Sequence, residues 1–599
     1  DSQRLLEISG IGEVGFKRIL ESYLANRGAR DVVAFLTPFG ITARRAVQIY
    51  QAYGKQAIQT VQEHPYRLCE MAGVGFHTAD RIAMRMGLDR LAPERIDQGL
   101  LYALTEAETR GHLCLTKQNF LDVAIKLLDT PTLPRKLAAD RAAELLRNGQ
   151  LAVYSDMVYR AKTDKAEQHL ADRVSARLRN RLPDSDETMD DDLAAEEQLL
   201  KLKLAPEQKA AVRAALQNRL VIITGGPGTG KTLIQKVILD IYRKRHPDAT
   251  VCACAPTGRA ARRMEQSTGV PASTVHRALG LYAGADGDYG EPEPLDADLI
   301  LVDEVSMLDI RLACDLFDAA KPDARMILVG DADQLPSVGP GAVLSELIAS
   351  GCVPTVRLDK VFRQSTGSRI ATNAKLIRHG NLALEYGTDF QFLESSALTA
   401  SADRLAELYV RDVSVYGIDN VALLTPYRQK TETGANALNL RLRELVNPAD
   451  PAKAELRCGS RVFREGDKVM QIKNHADISN GDIGYIRSIT VNGTEGQVDV
   501  DFGDGRLRAY EMSDMELLDF GYATTVHKSQ GSEYQSVLIN LQTAHSVMLT
   551  RPLIYTAITR GKRKVTIVGE RRALCISIRK TDTEKRGTCL AKRIQEQLQ

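Results

Sequence analysis

Short apolar runs recur through the middle of the chain, each ending in a polar or glycine-rich tip. Leu220 to Ile223, Val251 to Ala255, Leu299 to Val302, Met326 to Val329 and Val421 to Leu424 are too short and too uniformly apolar to be surface helices. They predict strands buried on both faces, as in a parallel sheet covered by helices. After the first run, Leu233, Val237 and Ile238 fall on one side of a predicted helix. Residues 459 to 515 change period. Runs such as Tyr485 to Thr490 and Gln497 to Phe502 alternate between Asn-Gly and Gly-Asp-Gly turn signals, which predicts a small antiparallel barrel inserted in an α/β domain. Ahead of residue 150 the pattern is helical. Leu100, Leu101 and Leu104 form a stripe, Gly111 to Leu115 reads as a short strand, and Asn148-Gly149 reads as a turn before Leu151 to Tyr154, as in a winged-helix unit.

The tip of the first run carries the most specific chemistry. Gly225-Gly226-Pro227-Gly228-Thr229-Gly230-Lys231-Thr232 stands between strand and helix, the arrangement of a P-loop. Glycines let backbone N–H groups turn inward around a polyphosphate, and the helix N-terminus adds a favourable dipole. Gly226, Pro227, Gly228, Thr229, Gly230 and Leu233 are assigned to the nucleotide site, Lys231 to the β/γ-phosphates and Thr232 to Mg²⁺. Asp303 and Glu304 follow the third run. Asp303 is the expected second Mg²⁺ contact and Glu304 the group that polarises the attacking water. Gln334 follows the fourth run and can accept from water while donating to phosphate. Gln208, at the start of a helix before the P-loop strand, can offer its amide to an adenine edge. Pro256 and Thr257, at the tip of the second run, and Thr274 and His276 further on are expected at a nucleic-acid backbone. Residues 280 to 297, rich in Gly, Asp and Pro, read as an insertion, a hairpin or a loop.

The N-terminal region contains a repeat. Gly10-Ile11-Gly12 and Gly73-Val74-Gly75 each precede a helix with basic residues, and Phe39 to Ala46 is a looser version. These turns resemble helix-hairpin-helix motifs, which hold a phosphate backbone without reading bases. Pro183 to Glu187 and Asp190 to Asp192 read as an acidic linker or solvated face.

Composition narrows the picture slightly. The chain has 599 residues, a formal net charge of +2 and 44% apolar residues, so nucleic-acid binding must use local basic surfaces. Nine scattered cysteines, without metal-ligand spacing, are expected of a reducing cytoplasm. No apolar run approaches the ~20 residues that span a bilayer. The chain begins at Asp1 rather than Met, as expected of a chain trimmed at its start.

In order, Gly-Gly-Pro-Gly-Thr-Gly-Lys-Thr, Ala-Pro-Thr-Gly-Arg-Ala-Ala, Val-Asp-Glu-Val-Ser-Met and Gly-Asp-Ala-Asp-Gln-Leu-Pro-Ser-Val-Gly-Pro-Gly resemble the motifs of superfamily 1 helicases, in particular RecD-like helicases. The repeats ahead of the motor resemble the stand-alone bacterial form. The resemblance spans most of residues 200 to 570. It implies two RecA-like domains with ATP between them, single-stranded DNA across them and translocation from 5′ to 3′. It assigns Arg363, in Val-Phe-Arg-Gln, to the γ-phosphate from the second domain, and the alternating region to an SH3-like insertion. Thr425 and Arg428, and Thr525, His527 and Lys528 in the motif V-like segment, are then expected at DNA, with Gly531 and Glu533 on the nucleotide side. Arg560, in the last motif, is the expected arginine finger.

The expectation is an α/β protein of three parts. Residues 1–150 form a helical N-terminal domain, 151–345 the first RecA-like domain and 346–599 the second, with the barrel at about 459–515. The expected function is an ATP- and Mg²⁺-dependent DNA helicase acting in repair or recombination, a cytoplasmic monomer on single strands and junctions. An RNA helicase of the same superfamily and an ATP-switched DNA-binding scaffold are the alternatives.

Overall fold

The computed structural model describes residues 29–71, 74–130, 133–180, 182, 188–281, 290–362, 368–429, 431–475, 478–492, 495–581 and 586–599. The chain divides after Lys165 into two compact units.

In the first unit, helix Ala43–Tyr53 follows a turn in which Gly40 adopts φ 80°, and helix Phe76–Arg85 starts directly after Gly75. Both are helix starts behind a glycine turn, as the repeat predicts. The copy at residues 7–23, and Gly73, lie outside the described residues. Arg95 clamps the second hairpin to helix Pro93–Thr109 through a fork to Asp80, at 2.7 and 3.0 Å. Next come strand β1 (Cys114–Thr116), helices Lys117–Leu128 and Arg135–Arg147, and strands β2 (Leu151–Tyr154) and β3 (Met157–Arg160) in the order β1-β3-β2. That is the element order of a winged helix. Asn148-Gly149 is the turn before β2, but it closes a helix and not a hairpin. Gly149, at φ 69°, ends the preceding helix, with Gln150 N–H donating to Leu145 O at 2.9 Å, and the hairpin turns at Ser155-Asp156. Because β2 and β3 pair with β1, the N-terminal unit runs past residue 150 to Lys165.

The second unit holds two parallel sheets. Strands β4 (Leu220–Gly225), β5 (Val251–Ala255), β6 (Ala272–Thr274), β7 (Leu299–Val302), β8 (Arg325–Gly330) and β9 (Thr355–Leu358) lie in the order β6-β5-β7-β8-β4-β9. The first lobe therefore extends beyond residue 345, because β9 pairs with β4 along Ile222–Gly225. Its core gathers Val221, Ile223, Val237, Ile238, Leu301 and Ile327. The acidic stretch is not all linker. Helix Met189–Leu199 places Asp190, Asp191 and Asp192 in its first turn, where the helix dipole favours them. Asp192 also pairs with Lys244 and Arg245 at 2.9 and 2.6 Å.

The second sheet takes β10 (Phe390–Glu394), β11 (Val421–Thr425), β19 (Ala523–Thr525), β20 (Tyr534–Leu541) and β21 (Gly561–Gly569) in the order β10-β21-β20-β11-β19. Between β11 and β19 the chain makes an antiparallel excursion. β12 (Glu455–Cys458) and β13 (Arg461–Arg464) form a hairpin, and β14 (Lys468–Gln471), β15 (Ile483–Asn492), β16 (Glu495–Asp501), β17 (Leu507–Glu511) and β18 (Leu518–Phe520) form a sheet ordered β17-β16-β15-β14-β18. The alternating pattern thus marks the inserted barrel, which starts slightly earlier and ends slightly later than 459–515.

The last helix, Leu590–Leu598, was not legible in the basic tail. It packs on the first lobe through a buried Arg593–Glu167 pair at 3.1 Å.

Candidate functional site

β4 delivers the glycine-rich loop, and helix Lys231–Arg245 leaves from it. Two glycines are required by space. A Cβ on Gly225 would come within 2.8 Å of Leu358 O, and one on Gly230, at φ 86°, within 2.5 Å of Gln208 Nε2. Thr229 Oγ1 donates to Gly226 O at 2.8 Å, and Lys231 Nζ donates to Gly225 O and Gly226 O at 2.6 and 3.1 Å. The loop is thus preshaped by its own polar groups.

Gln208 is placed differently from expectation. It is 2% exposed; its Oε1 accepts from Ala205 N–H at 3.0 Å and its Nε2 donates to Thr229 O at 3.1 Å. Each end of the amide is already engaged with backbone. In this arrangement the side chain braces the loop from behind instead of reading an adenine edge.

Asp303 and Glu304 follow β7. Asp303 Oδ1 accepts from Glu304 N–H at 2.8 Å, which leaves its other oxygen for the cavity. Glu304 adopts φ 52°, a left-handed conformation that costs a non-glycine residue about 1 kcal/mol or more. Burial, and then the adjacent Asp303 charge, push its carboxyl pKa up, while Arg560, Lys231 and Arg263 oppose the rise. Gln334 is 5% exposed and donates from Nε2 to Asp331 Oδ2 at 3.0 Å. Its Oε1 is buried without a hydrogen-bond partner among the described residues.

Lys231, Thr232, Asp303, Glu304, Gln334 and Arg560 all line one cavity of about 340 Å³. Pro227, Gly228 and Gly230 complete the loop side. Arg560 comes from the second lobe. It is 2% exposed and held by oxygens alone, donating from Nε to Thr556 O at 3.2 Å and from Nη1 to Ser532 O at 3.1 Å. Among the described residues no carboxylate pairs with it. Glu533 lies in the same cavity, paired with Arg263 at 3.0 Å and Lys562 at 3.4 Å. Lys562, half-buried, reaches Glu533 from a neighbouring cavity and does not line this one. Leu233 packs on the core of the first lobe. Gly531, expected on the nucleotide side, adopts φ 72° beside a neighbouring cavity, where a Cβ would come within 3.1 Å of Thr257 Oγ1 and 3.2 Å of Ala260 Cβ of the first lobe. Arg363 lies outside the described residues. Phe362, which lines the cavity, donates its N–H to Gly228 O at 2.8 Å.

The residues expected at nucleic acid divide into two groups. Pro256, Thr257, Thr274, His276, Thr525, His527 and Lys528 are partly exposed at strand tips or the turns after them. The Thr257 and Thr274 hydroxyls cap the helices that follow, accepting from Ala260 and Arg277 N–H at 3.3 and 3.2 Å. Burial pushes the pKa values of His276 and Lys528 down. Arg428 is exposed and paired with Asp519 at 2.7 Å. Thr425 is a correction. It is 0% exposed, and its hydroxyl donates to Thr433 O at 2.9 Å and accepts from Asn540 at 3.2 Å, so it serves the inside of the lobe.

Sequence reasoning missed Arg263, Phe362 and Tyr555. Tyr555 lines a third cavity, of about 610 Å³, with Leu358, Ile370 and the back of the P-loop. Arg263 had a weak signal, as it lies one helical turn after Arg259, just beyond the quoted Ala-Pro-Thr-Gly-Arg-Ala-Ala motif.

Comparison with known proteins adds four matched segments. Residues 25–114 match the ATP-dependent RecD2 DNA helicase HHH domain, 203–398 an AAA domain, 438–502 the ATP-dependent RecD-like DNA helicase SH3 domain and 520–568 the UvrD-like helicase C-terminal domain. The chain is 33% identical to the ATP-dependent RecD2 DNA helicase of Deinococcus radiodurans over 607 aligned positions, covering 99% of this chain and 82% of that protein. It is 32% identical to the RecBCD enzyme subunit RecD of Mycobacterium tuberculosis, over 61% of this chain and 69% of that subunit. Among solved structures, the Pif1 helicase of Candida albicans aligns with 61% of this chain and 94% of its own, at 18% identity and a TM-score of 0.38. No helix among the described residues is long and apolar enough to cross a membrane.

Proposed function

The chain belongs to the RecD2-like ATP-dependent DNA helicases, and from that premise we propose how its cleft couples ATP to movement along a single DNA strand. One observation carries the reading: the P-loop of the first lobe and Arg560 of the second line the same cavity as Glu304 and Gln334. Lys231 leaves its carbonyl partners for the β/γ-phosphates. The free Gln334 Oε1 and the Glu304 carboxylate orient and deprotonate the attacking water. Arg560 stabilises the charge that develops on the transferred phosphoryl group. Thr232 and the second oxygen of Asp303 offer hard oxygen donors of the kind Mg²⁺ takes. Such an ion neutralises phosphate charge when bound.

ATP draws the lobes together because its ligands come from both. Hydrolysis removes the outer phosphate that bridges them, and the cleft relaxes. Thr257, Thr274 and His276 grip the strand from one lobe, and Thr525, His527, Lys528 and Arg428 from the other. Contacts of this kind are to the backbone, so binding is insensitive to sequence and sensitive to salt. The direction we propose is 5′ to 3′, with a place in DNA repair or recombination, as the RecD-like resemblance implies. The test is strand displacement on duplexes with a 5′ or a 3′ overhang. ATP-dependent displacement from the 5′ overhang, abolished by Lys231→Ala, is expected. Displacement from the 3′ overhang, or unimpaired unwinding by Lys231→Ala, overturns the reading.

A further inference from the structure

The nucleotide cavity has a neighbour on the side of its arginines. A cavity of about 380 Å³ is walled by Arg259, Lys468, Thr524, Ser532 and Lys562, between the helix Gly258–Thr268 of the first lobe and the second sheet with its barrel. Arg263 and Glu533 line both cavities. Their side chains meet at 3.0 Å, so this ion pair is the partition between the two spaces.

The chamber is cationic. Lys468 is 5% exposed, and its Nζ donates to Ile418 O at 2.8 Å. Burial pushes its pKa down to about 8; the Asp419 carboxylate, 3.8 Å from Nζ, opposes the fall and the nearby Arg259 adds to it. Arg259 Nη1 donates to Ser532 Oγ and Tyr534 OH at 2.9 and 3.0 Å, neutral oxygens that leave its charge uncompensated there. Lys562 adds a third cation, shared with Glu533. The opposing carboxylates are Glu533, in the partition, and Asp419, exposed on the rim. Gln266 is exposed on the same rim, so the chamber reaches solvent. Lys468 is buried and Arg259 and Lys562 are half-buried, and gathering three cations around one space is costly unless an anion visits it.

The order of the cavities matters. The cavity with Leu358, Ile370 and Tyr555, whose lining also includes Lys375 and Arg378, meets the nucleotide cavity at Pro227, on the loop side. The cationic chamber meets it at Arg263 and Glu533. A nucleotide with its base towards the Tyr555 cavity points its outer phosphate towards the chamber.

We propose that this chamber is an anion-binding exit through which the inorganic phosphate cleaved from ATP leaves, opened when Arg263 exchanges the Glu533 carboxylate for the phosphate. The inference rests on the reading of the cleft given under Proposed function. In that reaction water attacks the γ-phosphorus, the bond to the β–γ bridging oxygen breaks, and that oxygen keeps the electron pair as part of ADP. The products are ADP, hydrogen phosphate and a proton. Hydrogen phosphate is a dianion near neutral pH, and stripping it of water in an apolar passage is prohibitive. Arg259, Lys468 and Lys562 supply charge-assisted hydrogen bonds along the way.

The experiment separates cleavage from release in the whole chain on single-stranded DNA. Acid quench-flow reads total phosphate formed, and a fluorescent phosphate sensor reads free phosphate. In Lys468→Met, which replaces a buried ammonium by an apolar side chain of similar length, cleavage keeps its rate and free phosphate is expected about ten-fold later. Arg259→Gln gives the same separation, and Lys468→Arg restores release to within about two-fold of the unaltered chain. Release in step with cleavage in both Lys468→Met and Arg259→Gln overturns the exit. Absence of cleavage in the unaltered chain overturns the reading of the cleft instead.

Discussion

The hydroxyl of Tyr555, in the second lobe, donates to Asp331 Oδ2, at the tip of β8 in the first, at 3.1 Å. Both residues are buried, and Gln334 Nε2 donates to the same carboxylate oxygen at 3.0 Å. Leu335 N–H donates to Thr556 Oγ1 and Gln530 Nε2 to Leu335 O, at 2.9 and 3.0 Å. The segment that carries Gln334 is therefore tied to the second lobe by hydrogen bonds on each side of it.

Tyr555→Phe tests whether that tie transmits the cleft's state. The change removes one buried hydrogen bond, worth about 1 kcal/mol, and leaves Asp331 paired with Gln334. DNA-stimulated ATP turnover is expected to survive within about three-fold. Base pairs opened per ATP are expected to drop further than turnover does. Parallel measurement of phosphate production and strand displacement checks this; equal losses in both would place Tyr555 in nucleotide binding alone.

Gln208→Ala distinguishes bracing from base reading. Both ends of the amide are bonded to backbone, at Ala205 and Thr229. Loss of the brace loosens the P-loop for any nucleotide. Affinity for ATP and for GTP is expected to fall together, by about ten-fold, or ~1.4 kcal/mol. Titration with fluorescent analogues of both nucleotides reads it. A selective loss for ATP would show that the amide turns outward to the base.

The central strands were legible because the short apolar runs are buried on both faces over most of their length, Val251 and Cys252 being half-buried, and the run itself marks the strand and its polar tip. Leu299 to Val302 is such a strand, fully buried, with Asp303 and Glu304 at the end that faces the cleft. Boundaries were less legible. Thr355–Leu358 carries two exposed positions and a charged residue, and only its pairing with β4 assigns it to the first lobe. Thr425 was misplaced for a related reason. A threonine at a strand tip looks solvent-facing in sequence, but Asn540 and Thr433, far along the chain or across a loop, fold over it. Arg263 escaped because its role depends on Glu533, 270 positions away (533 minus 263), coming to 3.0 Å when the lobes meet.

Acid should weaken the second lobe through His545. The ring is 0% exposed, packs edge-on to Tyr427 with centroids 5.2 Å apart, and has no hydrogen-bond partner at Nδ1 among the described residues. Burial pushes its pKa down to about 4, against a weaker opposing pull from Glu570. The unfolded chain, with an ordinary histidine pKa of about 6.5, binds more protons than the folded one between those two values. The neutral ring's contribution is therefore whole above about pH 6.5 and lost as pH falls towards 4. Urea midpoints of the unaltered chain should fall more steeply from pH 7 to pH 5 than those of His545→Gln. Parallel slopes would mean that the ring is protonated in place at little cost.

Arg560 offers the sharpest separation of binding from chemistry. Its guanidinium is held by Thr556 O, Ser532 O and Thr559 Oγ1, at 3.2, 3.1 and 3.4 Å. These neutral acceptors orient it without cancelling its charge, and the buried surroundings strengthen its field in the cavity it lines. Arg560→Lys keeps a positive charge but loses the planar fork that those three oxygens hold, so the ammonium sits elsewhere in the cavity. ATP turnover on single-stranded DNA is expected to fall about 10³-fold in Arg560→Ala and nearly as far in Arg560→Lys. Nucleotide affinity should change by less than about ten-fold in either, because the P-loop holds most of the phosphate contacts. Single-turnover hydrolysis with saturating ATP, beside equilibrium binding of a non-hydrolysable analogue, measures the two separately. A full rescue by lysine would show that charge alone is used there and that the three-oxygen cradle has another purpose.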